Sequence, residues 1–559
     1  MSKGNSGAAA ACSRPAEKRP RVNDSPTADC YPVTLAPGQS RLYLDFCSGE
    51  GSVRKFYPSV ARDTGWQKGA VTGAHRLRIV ELLAAQNPGP AAAPALEALA
   101  NGAGTVVTGQ QVALFGGPLF TPFKMATAFA RARQATRSGY PHAVVFWLAS
   151  EDHDFAEVNN VSLPGRREME KLVYASAPAS PQPVGSVVFD ETILPLVERA
   201  RELLGPSETA GILASAYRPG RTFAQAFAEL YAKTFAAQGL LTLDASGREF
   251  HRIGAPVLRA AVERADELHV ALLERNAELE AAGYHAQVAV TPQSSLLFLI
   301  EEQTGARVAL KRTMPSAAEP RGLWQAGKQS YSTAELLGIL DAEPERISPA
   351  ALLRPVFQDF LLSTSLIVGG PSEIAYFAQS AVLYERILGR PTPAAPRFSC
   401  TLIEPAIGEL LRRHELSLDR VLALDEAELA HLLAARAMPI EGKRRLAAAG
   451  QALDAELEAL LDWMKSHDEG LARSAETAAS KMRYQMNRLR TLAANFQLQK
   501  EASLGKHAHA IAQALCPGGA MQERVYGAVF YFARYGMELA ETLCVQAEKT
   551  CPGHTALWL

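Results

Sequence analysis

Two short apolar runs, separated by a segment long enough for one helix, leave this chain few choices of fold. Residues 105–108 (TVVT) are β-branched, and residues 142–149 (HAVVFWLA) are almost wholly apolar, as strands buried on both faces must be. Between them Pro118 or Pro122 suits a first helical position, and Gly139 closes a helix that ends near Arg137. Strand, helix and strand at this spacing make one right-handed βαβ unit. The pattern recurs. A helix over 223–238 leads into a strand at 240–244, and an apolar strand over 361–368 runs through Gly369-Gly370-Pro371 into a helix over 372–388. The expected fold is α/β, a doubly wound and mostly parallel sheet.

Less regular stretches at about 155–190 and 284–312 read as insertions, the second with the alternation of hairpins. A Pro-rich hinge at 391–396 divides a core, 31–396, from an almost purely helical region, 397–559. There Leu446, Leu453, Leu457, Leu460 and Met464 follow the seven-four-three-four spacing of a coiled-coil seam. No proline lies between Pro439 and Pro517; one helix of that span would run roughly 100 Å, so a break near Gly470 or Gly505 is expected. The seam suits a bundle helix or a second copy of the chain, and a homodimer through 438–500 is the expectation. Residues 1–30, small and polar, read as a disordered tail.

Formal net charge is −1, which gives no basic excess to attract a nucleic acid. No apolar run approaches the roughly 20 residues that span a bilayer, and the N-terminus lacks the apolar stretch of a signal peptide. Seven cysteines, at 12, 30, 47, 400, 516, 544 and 551, are odd in number, scattered and without a C-x-x-C pair. That usage argues against a disulfide framework and against a zinc site, and for a reducing, cytoplasmic location without membrane attachment.

Ligands of open α/β sheets bind beyond the carboxyl ends of the strands, and three polar clusters fall there. The first runs from Thr108-Gly109-Gln110-Gln111 to Gly116-Gly117-Pro118, with Lys124 in the helix beyond. Glycines permit close backbone approach, and a helix N-terminus attracts anions; a tight structural turn would use the same glycines. The sequence matches neither a Walker A motif nor G-x-G-x-x-G. The second, Glu151-Asp152-His153-Asp154, follows the strand that contains Trp147. Such a group can hold an ammonium, move a proton or bind a divalent metal, or Asp152 or Asp154 can simply cap a helix. The third, Val368-Gly369-Gly370-Pro371-Ser372-Glu373-Ile374-Ala375-Tyr376, places Glu373 in a first helical turn, where helix capping alone would also explain it. Arg354 and Gln358 upstream are within reach of the same cleft, though a surface ion pair would equally account for Arg354.

The stretches TGQQVALFGGPLFTPFK, VVFWLASEDHDFAEVNNVSLP, GYHAQV, LLRPVFQDFLLSTSLIVGGPSEIAYFAQ, PRFSCTLIE and QERVYGAVFYFARYG closely resemble, in this order, the bacillithiol biosynthesis cysteine-adding enzyme family of cysteine ligases. The resemblance covers the chain from about residue 41 to its end. It implies a Rossmann-type core related to class I aminoacyl-tRNA synthetases, connective insertions, and a helical coiled-coil domain that dimerises. It further implies amide formation between the carboxyl group of cysteine and the amine of glucosaminyl-malate, with ATP as the expected activator through an adenylate or an acyl phosphate. The chain departs from the synthetases in having no H-x-G-H and no K-M-S-K-S, and no zinc is expected. On this reading Asp152, His153, Asp154 and Glu373 handle the amine or its proton. Thr108, Gly109, Gln110, Gln111, Gly116, Gly117, Lys124, Trp147, Gly369 and Gly370 hold nucleotide or substrate. A nucleotidyltransferase acting on another small molecule, and a non-catalytic scaffold, are the alternatives.

Overall fold

The computed structural model describes residues 26–49, 51–57, 73–313, 323–549 and 551–559. Its central sheet has five parallel strands: β1 (Gly104–Gln111), β2 (His142–Ala149), β3 (Leu241–Asp244), β4 (Thr364–Gly369) and β5 (Ala394–Pro396). They lie in the order β5-β4-β1-β2-β3. The chain winds outward from β1 to β3, then resumes at β4 on the other side of β1. That reversal leaves a crevice at the carboxyl ends of β1 and β4, where such sheets bind ligands.

Alternation along the strands sends side chains to two cores. Val106, Val144, Phe146 and Val368 pack on one face with Phe123, Met125 and Phe129 of helix α1 (Phe120–Arg137). Val107, Val145, Trp147 and Leu243 pack on the other, with Phe357 of helix α2 (Arg354–Leu362). The first core also takes Val529, Phe532, Leu539 and Leu543 from the C-terminal region. Chain on both sides of residue 396 therefore shares one interior.

Two expected boundaries move. β1 continues past Thr108, because Gly109, Gln110 and Gln111 still pair with Trp147, Leu148 and Ala149. The strand expected from 361 begins at Thr364; Leu361 and Leu362 end α2, and Ser363 turns the chain with φ 45°. Helix α3 (Pro371–Leu388) follows β4.

The tail expected over 1–30 needs correction at its end. Residues 1–25 lie outside the described residues, but Ala28–Tyr31 is a strand antiparallel to the C-terminal strand His554–Trp558. The latter runs parallel to Ser399–Ile403. The same pairing overturns the expectation of no disulfide. Cys30 and Cys551 are bonded, with their Cα atoms 5.7 Å apart across a sequence separation of 521. Scattered positions in sequence do not exclude a bridge once the two ends of a chain meet in one sheet.

The long helical region breaks at Asp468 into α4 (Ile440–His467) and α5 (Glu469–Lys500), whose N-terminus Asp468 caps by accepting from Leu471 N at 2.7 Å. α4 and α5 pack as a hairpin. Leu457 is buried and Leu446, Leu453 and Met464 are half-buried, while Leu460 is exposed. Most of the seam is thus spent inside one chain.

Candidate functional site

A cavity of about 380 Å³ opens at the crevice between β1 and β4. Of the residues singled out from sequence, Gly109, Gln110, Gln111, Lys124, Trp147, Asp152, Gly370 and Glu373 line it, together with Arg354 and Gln358. Thr108, Gly116, Gly117, His153, Asp154 and Gly369 do not line it. Tyr376, at the end of the third cluster, lines it too, as do Phe120, Glu157, Arg397 and Arg524; sequence reasoning did not single out those last four.

Lys124 joins the two strand-to-helix turns. Its ammonium donates to Gly109 O and Gln110 Oε1, each at 2.9 Å, and pairs with Glu373, whose Oε2 also accepts from Gly370 N at 2.7 Å. Burial pulls the Lys124 pKa down, and the Glu373 carboxylate opposes it only in part. With its donors taken by the protein, Lys124 fixes the geometry of the crevice. Gly369 is required beneath it, because a Cβ there would lie 2.8 Å from Phe377 Cε2 and 2.9 Å from Glu373 Cβ.

Asp152 follows β2. Its Oδ2 accepts from Gln111 Nε2 at 2.8 Å and its Oδ1 from His153 N at 2.8 Å. Burial pushes its carboxyl up, but Arg354, the Gln111 amide and Arg307 outweigh that and hold it below its usual range. It therefore stays ionised. His153 turns away to Arg307 and Phe298, and Asp154 caps the short helix Phe155–Val158.

The Gly116-Gly117 turn serves the core. Phe115, Gly116 and Gly117 have φ of 48°, 83° and 67°, a run of left-handed backbone that glycine tolerates best. Gly116 N donates to Tyr217 Oη at 3.1 Å, and Tyr231 Oη donates to Gly116 O at 2.5 Å. A Cβ on Gly116 would lie 2.7 Å from Leu230 Cδ2. Neither Gly116 nor Gly117 lines the cavity.

Behind Asp152, Glu151 Oε1 lies 2.9 Å from Nε2 of the fully buried His251, whose Nδ1 is 2.9 Å from Ile347 O. Acceptors at both ring nitrogens call for an imidazolium. Burial works against that charge, but Glu151 prevails and the His251 pKa is raised. Stabilisation from His251 is then full below the unfolded histidine value of about 6.5 and is lost as pH rises through the raised value. In urea denaturation the midpoint advantage of the native protein over His251→Gln should shrink between pH 6 and pH 9; an unchanged advantage would show that the ring is neutral.

Arg397 enters from the end of β5. It pairs with Glu523 through Nη2–Oε1 at 2.5 Å and Nη1–Oε2 at 3.0 Å, and both side chains are buried. Glu523 also accepts from Cys400 N at 3.0 Å. Burial raises the Glu523 carboxyl, but Arg397 holds it below the ordinary range. Position offered one signal for Arg397, which directly follows a parallel strand. Nothing local marks Arg524, which the fold brings in from the C-terminal region. Among the described residues, the side chains of Arg354 and Arg524 make no hydrogen bond or ion pair with the protein. These two cationic groups line the cavity together with the Asp152 carboxylate, an arrangement able to bind an anion and an ammonium together. No three His, Cys, Asp or Glu side chains among the described residues converge to hold a metal.

The Bacillithiol biosynthesis BshC N-terminal Rossmann-like domain matches residues 29–398, and the C-terminal coiled-coil domain of the same family matches residues 400–558. Two relatives bearing the name "Putative cysteine ligase BshC" are similar along nearly their whole length. That of Koribacter versatilis is 41% identical over 95% of this chain and 99% of its own, and that of Solibacter usitatus 33% over 94% and 99%. The Thermus thermophilus relative is 33% identical over 82% and 88%. Rossmann-like sheet, coiled-coil hairpin and end-to-end similarity agree: the chain belongs to the bacillithiol biosynthesis BshC family.

Proposed function

We propose that this chain is an ATP-linked ligase that joins the carboxyl group of cysteine to the amine of glucosaminyl-malate. The observation that carries the reading is the presence of two guanidinium groups that no hydrogen bond ties down, Arg354 and Arg524, with the ionised Asp152 in one cavity at the sheet's reversal. Carboxylates or phosphates suit the two arginines. An ammonium suits Asp152, whose depressed pKa favours holding a positive charge over taking a proton. Lys124 and Glu373 keep the two turns in register, and Phe120 and Trp147 offer apolar cover.

ATP, when bound, supplies the leaving group that turns a carboxylate into an acylating agent. Arg354, Arg524 and Ser372 in the first turn of α3 are the residues that fit its phosphates. The family assignment also supports a cytoplasmic reaction, where ATP and cysteine are at hand. The test is direct: incubate the purified chain with ATP, cysteine and glucosaminyl-malate, and follow the amide and the nucleotide by mass spectrometry. AMP with pyrophosphate would identify an adenylate, and ADP with phosphate an acyl phosphate. Nucleotide turnover with no cysteine-dependent amide would instead favour the nucleotidyltransferase reading.

We also propose a homodimer through the helical hairpin. Trp463 of α4 and Leu489, Leu492 and Phe496 of α5 lie exposed, more apolar surface than a solvated arm needs. Leu489→Glu with Leu492→Glu should yield a folded monomer by light scattering. A dimer that survives both changes would remove this face from the interface.

A further inference from the structure

A second cavity, of about 460 Å³, lies behind Arg397 on the side where Cys551 is found. Its volume is that of a small-molecule site. Arg131, Gln134 and Arg137 of α1 line one wall, and Lys549 and Cys551 another. Among the described residues Glu548 is the one acidic residue in its lining, and Arg137 pairs with it at 2.9 Å. The lining is therefore net basic. It is also the wall that presents half of the Cys30–Cys551 disulfide, with Cys551 half-buried at the cavity and Cys30 exposed to solvent.

We propose that this cavity binds a small anionic thiol, which opens the disulfide from the cavity side. The inference deepens the ligase reading and rests on it, because the product expected there is such a thiol, carrying the carboxylates of malate. The ligand thiolate attacks Cys551 Sγ. The Cys30–Cys551 bond breaks as the ligand–Cys551 bond forms, and the electron pair leaves on Cys30 Sγ, where water solvates the thiolate or protonates it. A second ligand thiol then attacks the mixed disulfide, releasing the Cys551 thiol and the ligand's own disulfide. The protein gains two electrons, and two ligand thiols supply them.

The bond pins the strand Ala28–Tyr31 to the strand of His554. His554 contacts Ser399 Oγ and Thr401 Oγ1, each at 2.8 Å, and Ser399 donates to Glu523 at 3.1 Å. Glu523 holds Arg397, which lines both cavities. The disulfide thus lies one hydrogen-bonded chain away from the proposed active site.

The test uses the full chain purified without reductant, and three thiols at equal thiolate concentration: mercaptosuccinate, 2-mercaptoethanol and cysteamine. Intact-mass spectrometry follows the opening, and peptide mapping locates the adduct. Mercaptosuccinate should open the bond about tenfold or more faster than cysteamine, as a focused field would have it, with its adduct on Cys551. The preference should flatten in 1 M salt and in Lys549→Glu with Arg137→Ser, both exposed positions. Equal rates after correction, an adduct on Cys30, or two free thiols at 30 and 551 in the isolated protein would each overturn the proposal. None of these readouts needs ATP or ligation, so a failed ligase assay and a failed exchange assay are separate results.

Discussion

Asp152→Asn should lower the ligation rate by about 10²-fold or more, the cost of misplacing a reacting amine, while the protein still folds. Its carboxylate is ionised, lines the cavity, and is aligned by Gln111 and the His153 backbone. Asparagine keeps one acceptor and the shape but loses the charge that holds an ammonium. Stability should move within about 1 kcal/mol, the scale of one hydrogen bond. His153→Ala is the control. That ring lies against Phe298 and Arg307, outside the cavity lining, and its loss should cost less than about tenfold in rate. Single-turnover rates with saturating substrates, beside melting temperatures, measure both. Comparable losses from the two variants would move the amine site away from Asp152.

The largest stability effect is expected at Glu523→Ala, about 3–5 kcal/mol, because it strands the buried Arg397 guanidinium without a partner. Replacing both, as Arg397→Met with Glu523→Leu, should recover much of that loss, since an apolar pair has no charge to desolvate. The double variant should still lose activity, as Arg397 lines the cavity. The pH dependence has a definite sign. Glu523 has a depressed pKa, so its stabilisation is present above the unfolded carboxylate value of about 4.3 and is lost as pH falls through the lower folded value. The double variant should escape that loss in acid. Urea midpoints at pH 3 to 7 decide it; parallel acid profiles for native and double-variant protein would count against the pair.

The sheet and its crevice were legible because period-two burial, helix-length spacing and Gly-Pro turns act locally. His142–Ala149 is a strand as read, and the turns after β1 and β4 meet at one cavity. What failed to show was long-range. Gly116 looks like part of a ligand loop until Tyr217 and Tyr231 close around it. Leu460 fits a seven-residue register on paper, yet it lies exposed while Leu457 is buried. Arg397 and Glu523 stand far apart in sequence, and nothing near either announces the other. The Cys30–Cys551 bond is the extreme of the same problem.

The helix Glu538–Glu548, here α6, packs on α1, and Arg133 and Arg137 grip Glu541 and Glu548. The face of α1 that it covers leaves the ribosome about 400 residues before its cover does. At about 5–20 residues per second, the nascent chain waits roughly 20–80 s with that apolar face open. Through that wait a chaperone, or the premature pairing of two nascent chains, can occupy the face first, so the yield of this protein should depend more on what guards the unfinished chain than on how stable the finished one is.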